Sequence, residues 1–127
     1  MFNHLKGYES VTLPTETIDG KRYYVTPEGN KYPSVTTVTG LLNAKWIAQW
    51  RKNVGEEKAN QISRQAAGRG SRYHYLQEDF LNNIDITEKL AKATPLDLMM
   101  FNQTRELTEK IGDIYMLEGS LYSDDLC

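Results

Sequence analysis

The glycine-rich segment that leads into His74 constrains this chain most, because it combines loop-forming residues with a helical continuation. Gly68 and Gly70 favour a tight loop, and Ser71 is suited to cap the helix that would follow. His74 would then lie about one turn into that helix, with Glu78 one turn later on the same face. A histidine and a glutamate at this spacing are more often a solvated pair than a site. A function must therefore be argued from the surrounding chain.

The composition limits what kind of protein this can be. A chain of 127 residues with 25% charged and 39% hydrophobic residues has the make-up of an ordinary globular protein, and we expect one domain over residues 1–127. Its formal net charge of −2 argues against binding nucleic acid with the whole surface. The single cysteine, Cys127, excludes a disulfide framework and a cysteine-rich zinc site within the chain. Since we find neither a membrane-spanning run nor a signal-peptide pattern, we expect a cytoplasmic protein without a membrane partner.

The N-terminal third predicts a small sheet and the start of a helix. Residues 1–19 are expected to form an irregular arm, with a short strand at Ser10–Leu13. Strand-forming residues on both sides of a Pro-Glu-Gly-Asn turn predict a β-hairpin at Arg22–Tyr32. Ser34 is suited to cap a short helix over Val35–Leu42, although the β-branched run there also allows a strand.

The middle of the chain predicts a long helix over Ala44–Ala67, with a break or a weak point at Gly55. Its apolar residues recur at helical spacing, and a stripe of this kind usually faces a core. The residues of this stripe are Trp46, Ile47, Trp50 and Val54.

The C-terminal part predicts two more helices and a strand. A short helix is predicted at Thr87–Lys92, and Thr94 with the following proline marks the start of a longer helix at Pro95–Ile111. The residues expected on the buried face of the longer helix are Leu98, Phe101 and Leu107 or their neighbours. Asp113–Tyr122 alternates like a strand and has Glu118 near its centre. The predicted fold class is therefore α+β, dominated by helices, with a β-hairpin and an incomplete sheet.

Several separated stretches together resemble one family across residues 22–125. Gly29–Val38 resembles the "YPSVTTV" entry segment of phage exonucleases in the RecB-like branch of the PD-(D/E)XK nucleases, which are similar to the mitochondrial genome maintenance exonuclease. Leu41–Ala67 resembles the helix that follows in that family. Gly70–His74 resembles the family's Gly-Thr-x-x-His motif, and Leu117–Ser123 resembles the segment that leads to its catalytic strands.

The resemblance implies a DNA exonuclease that uses Mg²⁺ or Mn²⁺. It implies that His74 is a metal ligand. Separately, a carboxylate in the middle of the predicted strand suggests that Glu118 faces an active-site cleft as a catalytic residue, although an exposed strand face would explain Glu118 equally well. Arginines near a glycine-rich loop can meet DNA phosphates through guanidinium and backbone amides. The residues we assign to DNA contact are Arg51, Arg64, Arg69, Ser71 and Arg72.

The family's remaining motifs are a Gly-Thr-x-Asp strand and an Asp/Glu-x-Lys strand, and this chain contains neither. One imidazole and one carboxylate are too few ligands for a hard divalent cation. We therefore expect the N-terminal part of a nuclease domain, inactive alone and acting in the cytoplasm of a phage-infected host. A complementing polypeptide would pair with the open edge at Asp113–Tyr122.

Two alternatives remain. The chain could be a non-catalytic binding or regulatory protein derived from a nuclease, acting through DNA or protein contacts, including self-association through the open sheet edge. It could also be a structural helical domain in which the motif is coincidental.

Overall fold

Four short strands come first along this chain, four helices follow, and a short strand comes last among the described residues. The computed structural model describes residues 1–8 and 11–125, and within these it contains four helices and five short strands. In chain order they are β1 (Asn3–His4), β2 (Thr15–Ile18), β3 (Lys21–Val25), β4 (Lys31–Pro33), α1 (Val35–Val54), α2 (Glu56–Leu81), α3 (Thr87–Lys92), α4 (Pro95–Thr108) and β5 (Asp113–Ile114). The predicted α+β class is confirmed at this level.

The described residues divide into two compact units. The first unit contains residues 1–8 and 57–117, and so holds β1, most of α2, α3, α4 and β5. The second unit contains the described residues of 9–56 and 118–127, and so holds β2, β3, β4 and α1. The assignment of residues 1–127 to one domain stays a prediction. None of the described helices combines the length and apolarity that a membrane crossing requires.

The second unit is built on a three-stranded antiparallel sheet in the order β2-β3-β4. The hairpin predicted at Arg22–Tyr32 is confirmed as the β3–β4 pair. Its turn is closed by the Gly29 amide, which donates to the Thr26 carbonyl at 2.9 Å. Gly29 has φ +87°, a left-handed conformation that glycine adopts without strain.

The N-terminal arm, expected to be irregular over residues 1–19, contains both β1 and β2. β2 extends the hairpin by pairing with β3, with Thr15 opposite Tyr24. The strand predicted at Ser10–Leu13 is not found over residues 11–13, and Ser10 lies outside the described residues. The sequence reasoning missed β2 because a strand needs a partner, and pairing is not encoded locally.

α1 begins where the sequence indicates, and the helical alternative for this segment is confirmed. The Ser34 hydroxyl oxygen accepts from the Thr37 amide at 3.1 Å and so caps the helix. The helix does not stop at Leu42 but continues to Val54. It ends at Gly55, which has φ +89° and donates its amide to the Arg51 carbonyl at 2.9 Å. The predicted break at Gly55 is therefore confirmed.

The apolar residues predicted to face a core from α1 do not enter one, contrary to the prediction. They are Trp46, Ile47, Trp50 and Val54. No residue of α1 is buried, and the side chains of Trp46 and Ile47 are 69% and 41% exposed. Trp50 and Val54 are half-buried. Helical spacing groups these side chains along the helix, but their burial depends on what packs against them, which periodicity does not encode.

α2 runs without interruption through the segment that the sequence predicted to be a loop. Gly68, Gly70 and Ser71 all lie inside the helix, so Ser71 is not an N-cap. The helix is anchored on both sides of the glycines, by Ala59 and Leu76, which are buried. Each glycine costs about 1 kcal/mol in a helix interior, which is less than the packing that a break would disturb.

The first unit has a small apolar core beneath α2, α3 and α4. Leu76, Ile86 and Phe101 are buried together. The partly buried residues around them are Tyr73, Phe80 and Leu90. Phe101 thus confirms the prediction for α4, whereas Leu98 and Leu107 are exposed.

The boundaries of α3 and the start of α4 agree with the sequence prediction. The Thr94 hydroxyl accepts from the Asp97 amide at 3.2 Å and caps α4. α4 ends at Thr108, three residues before the predicted Ile111.

The strand predicted at Asp113–Tyr122 is mostly wrong. Within this range only β5, Asp113–Ile114, is a strand, and it pairs in parallel with β1. β1 offers two residues for pairing before a turn at Lys6–Gly7, so the ladder cannot continue. Glu118 adopts φ +56° and lies in a loop, not in the middle of a strand. The expected open edge is therefore short, and β1 covers one side of it.

Candidate functional site

The uninterrupted α2 places three of the predicted site residues on one exposed side of the helix. At about 100° per residue, positions seven apart lie nearly above one another, and positions three apart are neighbours. Arg64 and Ser71 are seven apart, and His74 follows three residues after Ser71. All three residues are exposed. This side of α2 therefore presents a guanidinium, a hydroxyl and an imidazole to the surroundings.

Arg72 has a structural partner that the sequence reasoning missed. Its Nε donates to Asp97 Oδ2 at 2.7 Å, and its Nη2 donates to Oδ1 of the same carboxylate at 3.3 Å. Asp97 is buried, whereas the Arg72 side chain is 56% exposed. This bidentate ion pair links α2 to the first turn of α4.

The pair shifts the pKa of both groups. The hydrogen bond from Arg72, followed by that from Thr94, lowers the pKa of the Asp97 carboxyl, and the hydrogen bond to Asp97 raises the pKa of the Arg72 guanidinium. By its position alone, Asp97 is an acidic residue in the first turn of α4. Nothing local pointed to an arginine 25 residues earlier in the chain.

Arg69 lies on a different side of α2 from Arg64, Ser71 and His74. It is seven residues before the buried Leu76 and is itself half-buried. Its guanidinium has no hydrogen-bond or ion-pair partner among the described residues. A DNA strand lying along Arg64 and Ser71 would therefore not meet Arg69 on the same side of the helix.

Arg51 and Glu118 belong to the second unit. Arg51 donates through Nε to both carboxylate oxygens of Glu56 at 3.1 Å, which lowers the pKa of Glu56 and raises that of Arg51. Glu118 lies in a loop that is fixed two residues later, where the Ser120 amide donates to the Val11 carbonyl at 2.8 Å.

The candidate residues do not form a metal site within either unit. Among residues 1–8 and 11–125, no group of three or more His, Cys, Asp or Glu side chains is placed to hold a metal ion. His74 belongs to the first unit and Glu118 to the second. Mg²⁺ and Mn²⁺ require several oxygen ligands, which these two residues do not supply. The donor set described here therefore does not fit a complete nuclease metal centre.

Two of the stretches that carry the family resemblance do meet, in the second unit. The Tyr32 and Tyr122 rings lie 6.4 Å apart between centroids, although they are 90 positions apart in the chain. The Tyr122 hydroxyl donates to Glu28 Oε2 at 3.3 Å. The Tyr32 hydroxyl donates to Asp124, and Asn30 Nδ2 reaches the same carboxylate at 3.5 Å. The β3–β4 turn, β4 and the segment after Glu118 thus form one polar and aromatic cluster.

No family model matches this chain, and neither the curated proteins nor the solved structures gave a significant match.

Proposed function

We propose that this chain is the N-terminal portion of a metal-dependent DNA exonuclease, which hydrolyses phosphodiester bonds only when another polypeptide segment completes its site. That segment would supply the Gly-Thr-x-Asp and Asp/Glu-x-Lys strands, and with them the carboxylates and the lysine. His74 would contribute one metal ligand. Mg²⁺ or Mn²⁺ would polarise the scissile phosphate and activate a water molecule.

The meeting of the two distant stretches is the observation that carries this proposal. A coincidental match to an entry segment and a later segment gives no reason for Tyr32 and Tyr122 to approach within 6.4 Å. The exposed Arg64, Ser71 and His74 on α2 add a surface on which a phosphate could be held next to a metal ligand.

Complementation of activity tests the proposal directly. The full chain is mixed with a polypeptide that carries the two missing strands, and cleavage of an end-labelled DNA duplex is followed with Mg²⁺ or Mn²⁺. We expect no cleavage by the chain alone, cleavage by the mixture, and loss of cleavage with EDTA. His74→Ala should remove most of the restored activity, because the remaining ligands would no longer hold the ion in place.

The other histidine provides a matched control for the loss of an imidazole. His4 is exposed in β1, and its Nε2 lies 2.8 Å from the Leu81 carbonyl oxygen. His4→Ala should retain the restored activity, provided circular dichroism shows a folded chain. Restored cleavage that is indifferent to His74→Ala would remove His74 from the site. Robust cleavage by the chain alone would contradict the need for a second segment.

DNA contact is best tested at Arg64, since the Arg72 side chain forms an ion pair with Asp97. Arg64→Ala should weaken binding of a labelled DNA and reduce the slope of affinity against salt by about one. Lys110→Ala, which removes an exposed cation beyond the end of α4, is the control and should leave the slope unchanged. Equal slopes for both variants and the wild type would exclude a phosphate contact at Arg64.

The alternative role, a non-catalytic binding or regulatory protein, is favoured by one observation. α1 exposes large apolar side chains and has no buried residue. Such a helix suits association with another protein whether or not the chain takes part in cleavage. Failure of the complementing segment to give cleavage, together with protein binding through α1, would favour this role.

A further inference from the structure

One face of α1 carries a continuous row of exposed apolar side chains, which we call the α1 stripe. It consists of Val35, Val38, Leu42 and Trp46, spaced three, four and four positions apart, so the side chains lie on one side of the helix. The exposed fractions of Leu42 and Trp46 are 84% and 69%. Single exposed hydrophobic residues are ordinary, but a contiguous row over three helical turns marks an interaction surface.

The charged residues of α1 are all of one sign. α1 contains no aspartate or glutamate. Lys45 and Lys52 lie seven positions apart along one edge of the stripe, and neither has an ion-pair partner among residues 1–8 and 11–125. The third cation, Arg51, lies nearer the opposite side and is paired with Glu56. The stripe is therefore bordered by two lysines whose charge is available to an incoming partner.

We propose that the α1 stripe is a docking surface for an acidic amphipathic helix of a partner protein. The partner's apolar side chains would pack on the stripe, and its carboxylates would lie beside Lys45 and Lys52, as at the flanks of a coiled-coil seam. The proposal goes beyond the nuclease assignment, because it depends on the surface of α1 and not on DNA cleavage. Its failure and the failure of the complementation assay are therefore separate results.

The charge pattern disfavours the other occupants of such a face. A second copy pairing α1 with α1 would bring only positive charges together, since α1 has no acid. A helix that lies on an anionic membrane carries several lysines and arginines over its polar face. The side of α1 opposite the stripe has Thr37, Ala44 and Ala48, and its one cation, Arg51, is paired with Glu56. A nucleic-acid strand requires more cations than two lysines along one edge.

The test uses the full chain and two synthetic 20-residue helical peptides. Both peptides have leucines at stripe spacing. One has glutamate along both edges, and the other has lysine at the same positions. Both tryptophans of the chain lie in α1, so binding can be followed by their fluorescence and checked by anisotropy of a labelled peptide. We expect the glutamate peptide to bind at least about tenfold more tightly than the lysine peptide.

Variants of the full chain separate the stripe from other apolar surface. Leu42→Glu should weaken binding of the glutamate peptide at least about tenfold, as expected for a central contact residue. Leu107→Glu changes an exposed leucine on α4 and should leave binding unchanged. The double change Lys45→Glu/Lys52→Glu should reverse the preference in favour of the lysine peptide.

Four results would overturn the proposal: binding of neither peptide, equal binding of both, equal effects of Leu42→Glu and Leu107→Glu, or an unchanged preference in the double lysine variant. Sedimentation that shows a dimer dissociated by Leu42→Glu would assign the stripe to a second copy instead. Binding through the stripe to anionic vesicles or to single-stranded DNA, with no binding of the glutamate peptide, would assign it to a membrane or to nucleic acid.

Discussion

Phe101→Ala tests the role of the small core in the first unit. Phe101 is fully buried, and its side chain is the largest in the described residues with that degree of burial. It packs with Leu76 and Ile86, and its ring meets the edge of the Phe80 ring at a centroid distance of 5.4 Å. Removing a buried phenylalanine side chain costs about 3–5 kcal/mol, through lost transfer free energy and the cavity left behind. Native domains are stable by only about 5–15 kcal/mol, so this is a large share.

Urea unfolding followed by circular dichroism at 222 nm measures the effect. With a loss of about 4 kcal/mol and an m-value of about 2 kcal/mol/M, the unfolding midpoint should fall by about 2 M. Leu107→Ala is the matched control, because Leu107 lies on the same helix and is 67% exposed. It should change the free energy of unfolding by no more than about 0.5 kcal/mol. If Phe101→Ala shifted the midpoint no more than Leu107→Ala, the core described here would not stabilise the unit.

Three further predictions concern single contacts. The Asp97 carboxyl has a lowered pKa in the folded chain, so its contribution to stability is present above its ordinary pKa and is lost as the pH falls through the lowered value. Asp97→Asn should therefore flatten the decline of Tm as the pH falls below the ordinary aspartate pKa of about 4, and a decline equal to that of the wild type would exclude the Arg72 pair as its cause. Thr94→Ala removes the cap of α4 and should lower the free energy of unfolding by about 1 kcal/mol, whereas Thr94→Ser keeps the capping hydroxyl and should retain most of that stability. Gly55→Ala should destabilise the chain by more than about 1 kcal/mol, since φ is +89° there, and unchanged or increased stability in urea would contradict that backbone conformation.

Features with a local cause were predicted well from the sequence. Ser34 and Thr94 act as caps because their hydroxyls reach amides three residues ahead, which depends on neighbouring residues alone. The same holds for the turn closed by Gly29 and for the break at Gly55. A reader of the sequence can find such features without knowing the rest of the fold.

Features that depend on distant residues were not predicted. Gly68 and Gly70 satisfy the local rules for a loop, but buried residues on both sides keep the helix continuous. The alternation at Asp113–Tyr122 suits a strand, but β1 offers only two residues as a partner. The exposure of Trp46 follows from what packs against α1, not from its spacing.

The candidate site shows the same division. Helical spacing makes Ser71 and His74 neighbours on one side of α2, although Ser71 was given the wrong role as a cap. Arg64 lies on the same side only because the helix continues through Gly68 and Gly70, where the sequence predicted a loop. The ion pair of Arg72 with Asp97 joins residues 25 positions apart, and no local pattern encodes it.

The pairing of β1 with β5 sets an order of events during synthesis of the protein. The two strands join residues 110 positions apart, since Asn3 Nδ2 donates to Asp113 Oδ1. At about 5–20 residues per second, a ribosome takes roughly 5–20 s to make that stretch. Well before then, the emerging α2 can hold the N-terminal segment through the Phe2–Phe80 ring contact and the paired backbone bonds of Phe2 with the Asn83 side chain. β1 then becomes the template to which β5 adds, so the first unit is completed only after Ile114 has left the ribosome.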